Sequence, residues 1–160
     1  MVLMQKRFAV LVLALTVQGC GGPDLSPKVE TLTPDQARVA LLDDLGVSVP
    51  QSYSLVQMRR TRPPGSGSPG YAGVYQSSSG GAAVNGLLID GGTVDLKPVT
   101  CNQIGEPPVS TWKPLGFDCA MHDLRFVTMQ PSKHPTFELA IATGQLSTGG
   151  SRMYVYCSGT

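Results

Sequence analysis

Soft metal ligands gather in one short stretch of the sequence, CAMHDLRFVTM, which begins at Cys119. The stretch contains Met121 and His122, and His134 follows a few residues after its end. Thiolate, thioether and imidazole groups are ligands that suit copper. A metal-binding or redox-related role for these side chains is therefore one hypothesis for this chain. The competing interpretation is structural, because Met121 and His122 point to opposite faces of a strand and converge only in a loop.

Catalytic side chains are sparse in the sequence. Only His122 and His134 offer an imidazole base, and no serine lies in the G-x-S-x-G context of a nucleophile elbow. Asp43 and Asp44 form an adjacent carboxylate pair, but neighbours in a helix do not face each other. We therefore predict a non-enzymatic protein without a bound cofactor.

The first twenty residues have the pattern of an export signal. Lys6 and Arg7 precede the apolar run Phe8 to Val17, which is about half as long as a membrane span. The run leads into VQGC, which ends at Cys20 and resembles the lipobox of bacterial lipoprotein precursors. The resemblance covers the signal alone. It implies cleavage before Cys20 and attachment of acyl chains, such as palmitate, to that cysteine.

The signal sets the predicted domain boundaries. Residues 1–19 are a signal peptide, residues 20–31 a flexible tether after lipidated Cys20, and residues 32–160 a single domain. The stretch GGPDLSPKVE after Cys20 is polar and lacks periodicity, as expected of a tether. The protein is thus expected in the cell envelope, lipid-anchored to a bacterial membrane. The alternative is ordinary signal-peptide cleavage, which leaves Cys20 as a thiol or a disulfide partner.

The state of Cys20 decides how the other cysteines pair. If Cys20 is acylated, Cys101, Cys119 and Cys157 remain in an oxidising compartment, which allows one disulfide and one leftover thiol. Spacing favours a Cys101–Cys119 bridge, because both lie in one proline-rich, aperiodic segment. A Cys119–Cys157 bridge is the alternative, and an unmodified Cys20 permits two bridges. An unpaired Cys157 is expected to be buried, since it alternates with apolar residues.

The mature chain is nearly neutral. Two of the twelve basic residues lie in the signal, whereas all eleven acidic residues follow it, so the mature chain has a formal charge of −1. This balance gives no electrostatic basis for nucleic-acid binding. The expected partners are the membrane, through the lipid anchor, and an envelope protein or polysaccharide. The cluster Arg59, Arg60 and Arg62 is interpreted as a solvated strand end or as a contact to anionic headgroups.

Two kinds of element must position these side chains. TLTPDQARVALLDDLG has Thr33 as an N-cap, Gln36 three residues later, Gly46 as a stop and apolar residues at helical spacing. The stretch predicts one amphipathic helix of about three turns. Alternating apolar segments predict strands, and Gly91 and Gly92 divide two of them as a hairpin would. The predicted strands begin at Tyr53, Tyr71, Gly86, Thr93, Leu124, Thr136 and Arg152.

The predicted fold class is α+β: an antiparallel sheet of about five to seven strands with one N-terminal amphipathic helix packed on one face. Tyr71, Tyr75, Tyr154 and Tyr156 are then candidates for a binding face on the opposite side of the sheet. Exposed aromatic rings of this kind bind carbohydrate or a protein partner. The alternative is that the long loop around Trp112 folds over that side and makes a second small core.

Overall fold

The fold is that of a computed structural model, which describes residues 26–65, 67–79, 84 and 86–159. The predicted signal peptide and Cys20 lie outside these residues. The described chain is mostly antiparallel β-sheet with a few short helices, which agrees in outline with the predicted fold class.

Ten strands form two sheets in the described residues. In chain order they are β1 (Lys28–Thr31), β2 (Val47–Ser48), β3 (Ser54–Arg62), β4 (Gly70–Ser77), β5 (Leu88–Ile89), β6 (Gly92–Thr93), β7 (Lys97–Pro98), β8 (His122–Met129), β9 (Phe137–Gln145) and β10 (Ser151–Gly159). The main sheet has the order β1-β3-β4-β10-β9-β8-β7, and all its neighbouring strands are antiparallel. The last strand of the chain, β10, is therefore its central strand.

The small sheet has the order β2-β5-β6 and contains the hairpin predicted at the glycine pair. The turn between β5 and β6 is formed by Asp90 and Gly91, both of which have positive φ (52° and 78°). Positive φ at both central residues is the requirement of a two-residue hairpin turn of type I′. Gly92 consequently lies in β6 rather than in the turn.

The segment between β1 and β2 is helical. It begins with α1 (Pro34–Val39) and continues as a π-helical turn (Ala40–Asp44). The capping box predicted from the sequence is present: Gln36 N donates to Thr33 Oγ1 across 3.3 Å, and Thr33 N donates to Gln36 Oε1 across 2.9 Å. These two bonds satisfy backbone donors that would otherwise lack a partner at the helix start.

One face of the main sheet packs against this helical segment and the small sheet. We call this the helix-side core. Apolar side chains from the sheet and from the helical segment meet there without exposure to solvent. Its most deeply buried members are Ala37, Leu41, Leu45, Val47, Met58, Leu87, Leu139, Ile141, Met153, Val155 and Cys157.

The opposite face is covered by the segment between β7 and β8. This segment contains α2 (Cys101–Ile104), α3 (Pro108–Trp112) and a 3-10 turn (Lys113–Leu115). Its apolar side chains form what we call the Trp112 core with those of the sheet. The buried members are Val74, Ile104, Val109, Trp112, Leu115, Phe117, Leu124, Ala140, Ala142, Tyr154 and Tyr156.

Two sequence-based expectations about strands need correction. The alternation of apolar and other residues in TFELAIAT predicts that β9 buries one face. Ala140 and Ala142 on its other face are also fully buried, because the Trp112 core covers them. Strand β1 lies within the predicted tether, yet its backbone pairs with Arg59–Arg62 of β3. Its four side chains are exposed, so hydropathy gave no sign of this strand, which is held by backbone pairing and by ion pairs of Glu30.

Replacing Trp112 by alanine should lower the free energy of unfolding by about 3–5 kcal/mol, the usual cost of deleting a large buried aromatic side chain. Trp112 is fully buried, and its indole N–H donates to Val155 O across 3.0 Å. Urea denaturation followed by circular dichroism measures the loss. Val56→Ala is the control, because Val56 is 54% exposed and its truncation should change stability by about 0.5 kcal/mol or less. Equal stability of the two variants would contradict the prediction.

Candidate functional site

A cleft lies between the helical segment and the start of β3. Its volume is about 280 Å3, and its lining is mainly apolar. Arg38 is the one charged side chain among the described residues that line it. The lining residues are Pro34, Arg38, Leu41, Leu42, Val47, Ser48, Val49, Pro50, Gln51, Tyr53, Leu55 and Tyr75. The cleft therefore offers an apolar surface with a single cationic group.

A glycine at the end of the helical segment shapes one wall of the cleft. Gly46 has a φ of +70°, and a side chain there would collide with the carboxylate of Asp90. Asp90 N donates to Gly46 O across 3.0 Å, which ties the turn of the small sheet to the helix end. Because only glycine adopts this backbone geometry without strain, the chain can reverse here and place β2 along the cleft.

The loop between β8 and β9 fixes the same helix end. Lys133 Nζ donates to Asp43 O across 2.8 Å and to Leu42 O across 3.3 Å. A cation at the carboxyl end of a helix is electrostatically favourable. Ser132 N donates to Asp90 Oδ2 across 2.9 Å, and hydrogen bonds from Ser132 lower the pKa of Asp90. The cleft wall is thus held by polar contacts from two other parts of the chain.

The polar groups in the cleft do not form a proton-transfer pair. The hydroxyl of Tyr53 shares a hydrogen bond of 2.8 Å with Ser151 Oγ. Burial raises the pKa of Tyr75 to about 12, so its phenol stays neutral at physiological pH. The charged group that lines the cleft is the guanidinium of Arg38. This arrangement suits binding of an apolar group better than acid–base catalysis.

Sequence reasoning did not identify this cleft, although one residue of the helical segment indicated it. The predicted apolar stripe contains Ala37, Leu41 and Leu45, which are buried. Leu42 lies outside this stripe, lines the cleft and is 40% exposed. An apolar residue outside the buried stripe of an amphipathic helix is the signal that the sequence offered.

The predicted tyrosine face is wrong. Tyr71 and Tyr75 belong to the helix-side core, whereas Tyr154 and Tyr156 belong to the Trp112 core, and all four are buried. Cross-strand register is the reason: Tyr71 lies opposite Cys157 and so shares its face of the sheet. The prediction assigned β4 the opposite orientation, because a strand that is buried on both faces carries no polar alternation to orient it.

The alternative for the second face, a covering loop around Trp112, is what the structure has. The ring of Trp112 lies 6.0 Å from that of Tyr154 and 5.5 Å from that of Phe117. The hydroxyl of Tyr154 donates to Gly116 O across 2.8 Å. The tyrosine side chains of this face are therefore packed in a core and do not form a ligand surface.

The predicted metal ligands do not converge. His122 pairs with Gln145 at one end of the β8–β9 ladder, whereas His134 stacks on Phe137 at the other end, with ring centroids 4.6 Å apart. The eight residue steps from Phe137 to Gln145 correspond to about 26 Å of strand. Met121 packs against the Trp112 core. In the part of the chain that the structure describes, no group of three His, Cys, Asp or Glu side chains could hold a metal ion.

The structure has the cysteine pairing that the spacing favoured. Cys101 and Cys119 form a disulfide with a Cα–Cα distance of 5.4 Å, and Cys157 is a buried free thiol. The disulfide closes the segment that contains Trp112. Closing a loop of this length stabilises a fold by about 3 kcal/mol on the loop-entropy estimate. The candidate for lipidation, Cys20, lies outside the described residues.

A second surface, the basic corner, lies at the far end of β3 from the cleft. It consists of Lys28, Arg60 and Arg62 with Glu30, and the register places Lys28 opposite Arg62 and Glu30 opposite Arg60. Arg60 pairs with Glu30, and Arg62 Nε lies 3.3 Å from the same carboxylate. These contacts lower the pKa of Glu30, the hydrogen bond from Arg60 most of all. Lys28 has no ion-pair partner among the described residues.

Comparison of the chain with protein-family models, with curated proteins and with solved structures finds no match. None of the helices in the described ranges is long and apolar enough to cross a membrane.

The buried thiol of Cys157 should make the protein less stable in alkali. Burial raises the pKa of Cys157 from 9.0 to about 12. Between these values the unfolded chain loses this proton while the folded chain keeps it, so the unfolded state binds fewer protons and the free energy of unfolding falls as pH rises.

Urea titrations at about pH 8 and about pH 10 measure this effect against a Cys157→Ala variant, which lacks the titrating group. From the lower to the higher pH, the stability advantage of the unmodified protein over the variant should shrink by about 1.5 kcal/mol. The same pH dependence in both proteins would contradict a protonated thiol in the folded state.

Proposed function

We propose that this protein is a lipid-anchored component of the bacterial cell envelope and that its domain is a non-enzymatic binding module. The lipobox-like segment that ends at Cys20 supports export and anchoring. The Cys101–Cys119 disulfide supports an oxidising compartment, because structural disulfides persist mainly outside the cytosol. An acylated Cys20 would keep the domain at a membrane surface.

The apolar cleft is the single observation that carries the binding role. Leu42 is 40% exposed at the cleft, while Leu41 and Val47 line it from the helix-side core. An apolar side chain that enters the cleft removes this surface from water, which contributes about 25 cal/mol for each Å2 buried. A concave apolar surface with one charged group to orient a ligand is typical of a binding site.

A protein segment fits the cleft better than a polysaccharide does. Carbohydrate binding was expected from exposed aromatic faces, and the four tyrosines considered for it are buried. Strand β1 covers β3 only along Arg59–Arg62, which leaves the outer edge of Ser54–Gln57 without a paired strand in the described chain. A partner in extended conformation would add backbone hydrogen bonds to this edge while its apolar side chains enter the cleft.

Mass spectrometry of the mature N-terminus tests the anchor. The expected product begins at Cys20 and carries a diacylglyceryl group, so that the protein sediments with membranes. A Cys20→Ser variant should lose both the lipid and the membrane association. A Cys157→Ser variant should keep both, because that thiol is buried in the fold. An unmodified Cys20 thiol in the mature protein would contradict the anchor.

Site-specific photo-cross-linking in intact cells of the source organism tests the cleft. A photoreactive residue at position 42 should form an adduct with an envelope protein, because Leu42 lines the cleft. The same residue at position 29 is the control, since Val29 is 61% exposed on β1 but is not part of the cleft. Protein adducts of equal yield at both positions, or polysaccharide adducts at position 42, would argue against a protein-binding cleft.

A further inference from the structure

We propose that the basic corner docks onto anionic phospholipid headgroups and so fixes the orientation of the domain on its membrane. The inference rests on the proposed lipid anchor and adds a second, electrostatic contact to it. The surface consists of Lys28, Arg60 and Arg62, with Glu30 as the carboxylate among them.

The charges of the corner are not balanced within the fold. Lys28 and Arg62 lie directly opposite each other in the β1–β3 register, an arrangement of like charges that destabilises a strand pair. Glu30 contacts both arginines, so it offsets only one of the three positive charges. The side chain of Arg62 is 58% exposed. The corner therefore has two positive charges in excess, which an anionic headgroup would balance.

The position of the corner along the chain favours this ligand. Lys28 is the first residue of β1 and lies eight positions after Cys20 in the sequence. A chain of that length spans at most about 29 Å. An acylated Cys20 would therefore keep the basic corner close to the headgroups. Because the tether already holds the corner near the membrane, docking of the corner onto the headgroups requires little further loss of chain entropy.

Docking in this orientation would keep the cleft accessible. Leu55 lines the cleft and Arg62 belongs to the basic corner. The seven residue steps from one to the other along β3 correspond to about 23 Å. With the corner on the membrane, the cleft end of β3 points away from the bilayer. A tethered partner-binding surface would then face the proteins of the compartment.

A chemically tethered protein allows the docking of the basic corner to be tested independently of the lipid anchor. A chain that begins at Cys20 retains β1 and both cores, whose members start at Leu32. Cys20 is coupled to a maleimide-bearing lipid in vesicles, a selective reaction because the other cysteines are paired or buried. Since the tether is made chemically, the outcome does not depend on whether cells acylate Cys20.

Acetylation of lysines by a water-soluble reagent, quantified by mass spectrometry, reports the docking. On phosphatidylglycerol vesicles Lys28 should react roughly 25-fold more slowly than on phosphatidylcholine vesicles, because each of two uncompensated cations strengthens the contact about fivefold. The exposed Lys113, on the segment covering the other face, should react equally on both. Salt at about 0.5 M should remove the difference by screening.

Two variants complete the experiment. Arg62→Ser removes one cation of the corner and should reduce the protection of Lys28 about fivefold. Arg125→Ser removes the same charge from β8, close to the opposite edge of the sheet, and should leave the protection unchanged. Equal acetylation of Lys28 on the two kinds of vesicle would overturn the proposal. Equal slowing of Lys28 and Lys113 would also overturn it, because it would indicate adsorption without a defined face.

Discussion

The packing of Trp112 against the central strand β10 is the contact on which the rest of the structure depends. The ring is fully buried, and its N–H bonds to Val155 O. Helices as short as α2 and α3 are not stable alone in water, so they persist because their apolar side chains join this core. The Cys101–Cys119 disulfide limits the freedom of the same segment in the unfolded chain. Without this cover, one whole face of the sheet would be exposed to water.

Burial of both sheet faces determines where the protein can interact. The centre of the sheet consists of core residues, such as Tyr154 and Met153, that are inaccessible from either side. Among the described residues, the cleft and the basic corner lie towards the two ends of β3. The cleft lies where the helical segment, β2 and the start of β3 meet, and the corner lies where β1 pairs with Arg59–Arg62 at the other end of β3.

Features encoded within a few residues were predictable from the sequence. The capping box needs only Thr33 and Gln36. The hairpin was predicted at Gly91 and Gly92, one residue beyond the observed turn at Asp90 and Gly91. The disulfide followed from two cysteines in one aperiodic segment. The tyrosine face failed because the orientation of a strand that is buried on both sides depends on its register with neighbours distant in sequence. The metal hypothesis gained no support, because His122 and His134 lie at opposite ends of the ladder between β8 and β9.

The sequence by itself determined the positions of most strands, the helix start and the apolar character of Cys157, and it favoured the pairing of Cys101 with Cys119 over the alternatives. Each of these depends on local backbone preference, on alternation or on short spacing. Only the tertiary structure decided which side chains share a face, that Trp112 covers the second face, and that Lys28 lies opposite Arg62. These relations arise from strand pairing between distant parts of the chain. A shift of one residue in that pairing would turn every side chain to the other face, and composition and periodicity do not specify it.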